Sequence, residues 1–142
     1  MMFPSVRIFL IGAAVLAAPL FLSGSAMAEE VIHNYEVIAD VRTDGTVDIT
    51  EKITVQAERI EINHGIYRDI PTEYVDQNGR PFHMPFQLEG VWRDNQKEPY
   101  HVASQNNGQR IYIGNKDKYV PFGTHIYSIQ YRVGRVIGSF PT

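Results

Sequence analysis

The chain contains no cysteine. Disulfides, thiolate metal centres, a cysteine nucleophile and thioether lipid attachment are all excluded, so a folded body here depends on its apolar core. There is no Asn-x-Ser/Thr acceptor site and no low-complexity tract. Neither a polybasic run nor a basic stripe occurs, and the 13 basic and 16 acidic residues are mixed along the chain. That balance excludes the electrostatic footprint of a nucleic-acid or anionic-lipid binder. Long apolar runs are also missing, with a single exception at the amino terminus.

That exception is Ile8 to Leu22, "IFLIGAAVLAAPLFL", preceded by Arg7 as its only charge and followed by "SGSAMA" and an abrupt Glu29-Glu30. A basic start, an apolar stretch and small residues at Ala26 and Ala28 have the form of an export signal, with cleavage expected after Ala28. The competing reading is an uncleaved anchor helix, since the uncharged run nearly has bilayer length. With residues 1–28 removed from 142, 114 residues remain, one domain's worth. Without Arg7 they hold 12 basic and 16 acidic residues, a formal charge of −4.

The remainder reads as strands. In "VIHNYEVIADV" (31–41), Val31, His33, Tyr35, Val37, Ala39 and Val41 fall on one face, a period of two. Asp44-Gly45 signals a hairpin turn, and "TVDITEKITV" (46–55) alternates again with Val47, Ile49, Ile53 and Val55 together. Residues 56–63 fit either a continued strand or a short helical turn. Residues 64–83, with Gly65, Pro71, Gly79 and Pro81, read as a long loop containing an Asn78-Gly79 turn. Strands are expected again over 84–94, over 99–104 and 109–115 around Asn107-Gly108, and over 124–133. No sustained helical period follows residue 28. The pattern predicts a mainly β fold: an antiparallel immunoglobulin-like β-sandwich over 29–142, after the signal helix of 1–28. The tail "GRVIGSFPT" has no closing strand, so the sandwich is expected to be incomplete at its C-terminus.

One stretch concentrates chemistry: "HGIYRDIP", His64 to Pro71. Arg68 and Asp69 are neighbours, so on an extended chain they face opposite ways and each needs a partner elsewhere. Glu51 lies on the apolar face of its strand, where a carboxylate is costly unless paired. Arg68 is the expected partner, fastening the loop over the sheet through a bidentate contact. The competing readings of this stretch are a binding surface and a catalytic site with His64 as base, oriented by Asp69 or Glu51. No nucleophile motif supports catalysis. The histidines His33, His64, His83, His101 and His125 are scattered without metal-ligand spacing. No cofactor and no metal is expected. The many tyrosines would stack on sugars if exposed in a row, or fill the core.

Three stretches, "DGTVDITEKITV" (44–55), "HGIYRDIP" (64–71) and "IYIGNKDKYVPFGTHIYSIQYRV" (111–133), resemble in order and spacing the amino-terminal extracytoplasmic domain of the YciQ-like predicted membrane proteins of bacteria. Glu51, Gly65, Tyr67, Arg68, Asp69 and Pro71 match that pattern, and His64 opens the middle stretch. The resemblance implies an export signal and a β-rich exported domain, followed by transmembrane helices. It carries no established activity and no catalytic residues. Members continue past the "YRV" strand into further strands and the membrane. Here no second hydrophobic span follows, so the chain is expected to be a fragment or a truncated product.

The function expected from the sequence is that of a non-catalytic protein-interaction module, exported to the periplasm or cell surface and membrane-associated if the signal stays or the parent is longer. Its partner would be an envelope protein or the remainder of its own parent. A carbohydrate- or cell-wall-binding module is the alternative, and a hydrolase at His64 and Asp69 the more distant one.

Overall fold

A computed structural model describes residues 29–134. The expected signal over 1–28 and the tail beyond Gly134 lie outside the described residues. Ten strands follow in chain order: β1 (Ile32–Val41), β2 (Val47–Ala57), β3 (Gly65–Pro71), β4 (Glu73–Val75), β5 (Pro81–His83), β6 (Phe86–Arg93), β7 (Gln96–Lys97), β8 (Tyr100–Gln105), β9 (Gly108–Gly114) and β10 (Gly123–Val133). All pairings are antiparallel, and no helix occurs among the described residues. In particular, none of them forms a helix long and apolar enough to cross a membrane.

The strands form a five-stranded sheet in the order β1-β2-β10-β6-β7, a three-stranded sheet β3-β9-β8, and a small β4-β5 ribbon. The core forms between the two larger sheets. Val55, Val91, Tyr127, Ile129 and Val133 come from the first, and Ile70, Ile111 and Ile113 from the second. Side chains of period two on each sheet supply one apolar face, and burying the two faces against each other is what holds the layers together.

The turn chemistry explains the hairpins. Gly45 takes a φ of +87°, and the Asp44 carboxylate accepts the Thr46 N–H at 2.9 Å, closing β1 onto β2. At Gly79, φ is +77°, and Asp76 accepts from the Asn78 and Arg80 amides at 2.8 and 2.9 Å. Between β8 and β9 the turn is Asn106-Asn107, because Gln105 pairs with Gly108. Gly108 is glycine for a different reason: a Cβ there would sit 2.1 Å from the Ile70 carbonyl oxygen of the neighbouring strand.

Two sequence expectations are corrected. Residues 64–83 are not one loop, because β3 occupies 65–71 and a β4-β5 hairpin surrounds Asn78-Gly79. Gly65 and Pro71, which look like breakers, sit at the two ends of an edge strand, where they are tolerated. In β1, a bulge leaves His33 out of register, so Ile32 opposite Val55 shares the face of Tyr35 and Val37.

β1 differs from the other long strands in being exposed along all ten residues. Among the described residues its inward face is only partly covered, by Arg68 at Tyr35, because the sheet opposite has three strands against five. Val37 and Val41, on the face of the core residues Val47 and Ile53, are 51% and 61% exposed.

The chain before β1 is tied down by its own carboxylate. Glu30 accepts backbone N–H bonds from Glu58, Ile60, Glu61 and Ile62, at 2.6 to 3.2 Å. A run of amides around Arg59, whose φ is +57°, forms an anion-binding concavity that this side chain fills. Burial alone would raise the Glu30 pKa, but the amides outweigh it and hold it at about 2. A depressed carboxylate contributes stability above its unfolded pKa, near 4.5, and that contribution is lost as pH falls toward about 2. Chemical denaturation between pH 6 and pH 3 should therefore show a smaller acid loss for Glu30→Gln than for the wild type. Equal losses would show that the amides do not hold the charge.

Candidate functional site

The stretch His64–Pro71 organises the open side of the two-sheet body. On an extended strand its side chains alternate, and β3 does so: Ile66, Arg68 and Ile70 turn toward the larger sheet, while Tyr67 and Asp69 turn outward. The inward side carries the expected pair. Arg68 Nε donates to Glu51 Oε2 at 2.7 Å and Arg68 Nη2 to Glu51 Oε1 at 2.9 Å. Glu51 is 2% exposed. Two further groups complete the contact. Tyr131 Oη donates to Glu51 Oε1 at 2.8 Å, and Arg68 Nη2 donates to Tyr35 Oη at 2.9 Å. Arg68 Nη1 also donates to the Asp69 carbonyl.

The electrostatics follow from this geometry. Burial pushes the Glu51 carboxyl up, but the Arg68 guanidinium and the Tyr131 hydroxyl outweigh it and hold the carboxyl below the usual range. Burial and the Glu51 carboxylate together raise the Tyr131 phenol. The cluster is a charge-assisted network joining β1, β2, β3 and β10, with both carboxylate oxygens occupied. The sequence pattern places Tyr35 and Tyr131 on strand faces but does not mark either as a partner of the Glu51–Arg68 pair. The hairpin register points to Tyr35, because Val37 opposes Glu51 and Tyr35 stands one inward position away.

A contrast between two buried tyrosines tests the network. Tyr131→Phe removes a bond to a charged acceptor and should cost about 1.5–3 kcal/mol. The Tyr127 hydroxyl is buried and has no partner among the described residues. Tyr127→Phe should therefore leave stability unchanged or raise it. Urea titration of both variants checks the order, and equal losses would refute the assignment.

On the outer side, Asp69 pairs with Arg110 at 2.6 and 2.8 Å. The Arg110 guanidinium lies 4.2 Å from the Tyr67 ring, and Tyr112 stacks on His101 at 4.6 Å. Tyr67 of β3, Tyr112 of β9 and His101 of β8 thus form an aromatic row on this face, bordering a depression of about 650 Å³ that extends to His64. His101 and Arg110 already cover ring faces in that row. Arg110 is a partner the sequence did not indicate, 41 residues from Asp69.

The three residues of the catalytic reading are not brought together. His64 Nδ1 lies 2.9 Å from the Lys118 carbonyl, and its ring stacks on Tyr119 at 4.5 Å. Asp69 is held by Arg110 outside the sheet, and Glu51 by Arg68 inside it. Gly65 opens β3 opposite Gly114, and Pro71 ends β3 opposite Gly108.

Beside Arg68, a cleft of about 530 Å³ opens between β1 and β3. Ile32, Tyr35, Ile62, Ile66 and Tyr67 line it, over a floor of Ile53 and Val55. Its walls are mostly apolar, and the charged pair at one end is internally satisfied.

Comparison with known proteins agrees with the resemblance read from the sequence. The chain is 34% identical over 127 residues to a protein of Escherichia coli (strain K12) described as uncharacterized protein YciQ, covering 84% of this chain and 20% of that protein. It therefore spans about a fifth of the relative's length. No solved structure matches. A family model described as the N-terminal domain of a predicted membrane protein (DUF2207) matches residues 31–141, and the chain belongs to that family.

Proposed function

We propose that this domain is the exported, non-catalytic interaction module of a bacterial envelope membrane protein, an immunoglobulin-like sandwich whose open flank contacts another part of its parent or an envelope partner. The observation that carries the reading is β1. An edge strand exposed along its whole length, with Ile32, Val37 and Val41 uncovered, is a liability unless something packs there. The polar groups of the 64–71 stretch support the same reading, because Arg68, Asp69 and His64 are engaged in internal contacts. Export follows from the form of residues 1–28.

The test is photo-crosslinking in intact envelopes, with a photoreactive amino acid in place of Val37. A discrete adduct, absent when the probe replaces exposed Asn106 on the β8-β9 turn, is expected. A diffuse or absent adduct at both positions would end the proposal. The aromatic row favours a second reading, a saccharide platform. It is the weaker one, because ring faces in the row are covered by neighbouring side chains. Binding of Tyr67→Ala and wild-type protein to isolated cell wall separates the two readings.

A further inference from the structure

Of the five histidines, only His125 is buried. It lies on the inward face of β10, opposite Val55 and one inward position from Tyr127. Its Nδ1 is 2.6 Å from Asp94 Oδ2, and its Nε2 is 2.7 Å from the Pro121 carbonyl oxygen. Both oxygens accept. A carbonyl has no proton to give, and Asp94 is ionised. Burial raises the Asp94 carboxyl, but the His125 ring and the Ile126 amide outweigh burial and hold it below the usual range. A neutral imidazole donates from one nitrogen only, so the lone pair of the other would face an oxygen at hydrogen-bond distance. Both contacts are satisfied only when the ring carries two protons. His64 differs: its single contact, from Nδ1 to the Lys118 carbonyl, needs one proton and survives in a neutral ring.

The two acceptors belong to different elements. Asp94 opens the two-residue turn between β6 and β7, with φ of +52° at Asp94 and +67° at Asn95. Its amide donates to the Ile126 carbonyl and its Oδ1 accepts the Ile126 amide, both at 2.9 Å, so β10 holds it whatever the ring does. Pro121 belongs to the connection 115–122 between β9 and β10. Asp94 and Pro121 both line one polar cleft of about 400 Å³. We propose that His125 is a proton-dependent latch at this cleft, closed as the imidazolium and releasing the 115–122 connection when the ring loses a proton. The device is separate from the β1 flank and adds a pH response to the domain.

The charges around the ring, among the described residues, leave Asp94 as its counter-ion. β6 brings Arg93, 3.8 Å from Asp94 Oδ2 and bonded through Nε to Glu98 at 2.9 Å. On β10, burial pushes the Tyr127 phenol up to about 12, so it stays neutral. β2 brings only Val55 and Ala57, opposite His125 and Gly123. The connection brings Lys118 and Tyr119, both exposed, with His64 stacked on Tyr119. The remaining proton of a neutral ring stays on Nδ1, toward the carboxylate, which is the stronger acceptor. The bond lost is therefore the one to Pro121. Its neighbour Val120 keeps two bonds that do not titrate near neutrality, from its amide to Asn63 O at 2.8 Å and from Arg59 Nε to its carbonyl at 3.2 Å. Release thus loosens the connection from the Pro121 side and leaves β10 in place. The closed form holds a proton that the open form gives up above about pH 6.5, where a free imidazole is neutral. Opening then becomes easier by about tenfold per pH unit as pH rises.

Two measurements on the purified full chain test the latch. Nitrogen NMR of the wild-type His125 ring at pH 6 should show both ring nitrogens protonated, and one unprotonated nitrogen there overturns the proposal. Hydrogen exchange, corrected for its intrinsic pH dependence, reads the release. Between pH 6 and pH 8 the Val120 amide should lose protection by about tenfold or more, while Ile129 in the middle of β10 holds steady. His125→Gln should abolish that pH dependence, and His64→Gln should keep it. A flat wild-type profile, or a pH dependence that survives His125→Gln, overturns the latch. If His125→Gln fails to fold, the wild-type ring spectrum still decides.

Discussion

Gly65→Ala is expected to cost about 3–5 kcal/mol, enough to unfold much of a marginal domain. A Cβ built on Gly65 would lie 1.7 Å from the Ile113 carbonyl oxygen. No side-chain rotation relieves that contact, because both partners are backbone. Its φ of +150° is also one that L side chains rarely adopt, so strain adds to the clash. The opposite residue is under the same constraint: a Cβ on Gly114, φ +129°, would meet the His64 carbonyl oxygen at 2.0 Å. Moving the strands apart would break the adjoining Ile66–Ile113 pairing, which brings two core contributors together. Gly79→Ala is the control. Its φ is +77°, but nothing lies within 4 Å of the added methyl, so only the backbone penalty of about 1–2 kcal/mol applies. Urea denaturation should rank Gly65→Ala well below Gly79→Ala. Equal losses would mean that the crossing of β3 and β9 is looser than these distances state.

Arg68→Ala should be the other severe change, costing about 3–5 kcal/mol, because it strands a buried carboxylate. The loss belongs to the orphaned charge rather than to the pair as such. Replacing both partners by apolar side chains of similar volume, Glu51→Leu with Arg68→Met, should therefore recover much of it. Arg68→Lys keeps the charge but loses the bidentate fit and the reach to Tyr35, and should fall between. The pH dependence gives an independent sign. Glu51 is held below its ordinary pKa near 4.5, so the network contributes fully above that pH and weakens as pH falls below it. The double variant should lack that part of the acid sensitivity. If Arg68→Ala and the double variant are equally unstable, the buried charge is not the source of the loss.

What could be read along the chain followed from local rules. Period-two alternation located β1, β2 and β10, and Asp44-Gly45 and Asn78-Gly79 located two turns, because side-chain direction and positive φ are set within a few residues. Glu51 was legible as a misfit on an apolar face, and a misfit of that kind implies a cation nearby. The β3 strand was not legible, since its ends carry Gly65 and Pro71 and its middle is charged. Its extended form depends on pairing with β9, some 45 residues later. Arg110 as the partner of Asp69, and Tyr131 as a donor to Glu51, depend likewise on which strands become neighbours.

By itself, the amino-acid order determined a β-rich body without disulfides, with one carboxylate that had to be neutralised inside. Only the tertiary structure decided which strands face which. Among the described residues three strands stand opposite five, and that count leaves much of the inward side of β1 exposed. No local pattern records it, because a valine alternates in the same way whether or not another sheet lies above it.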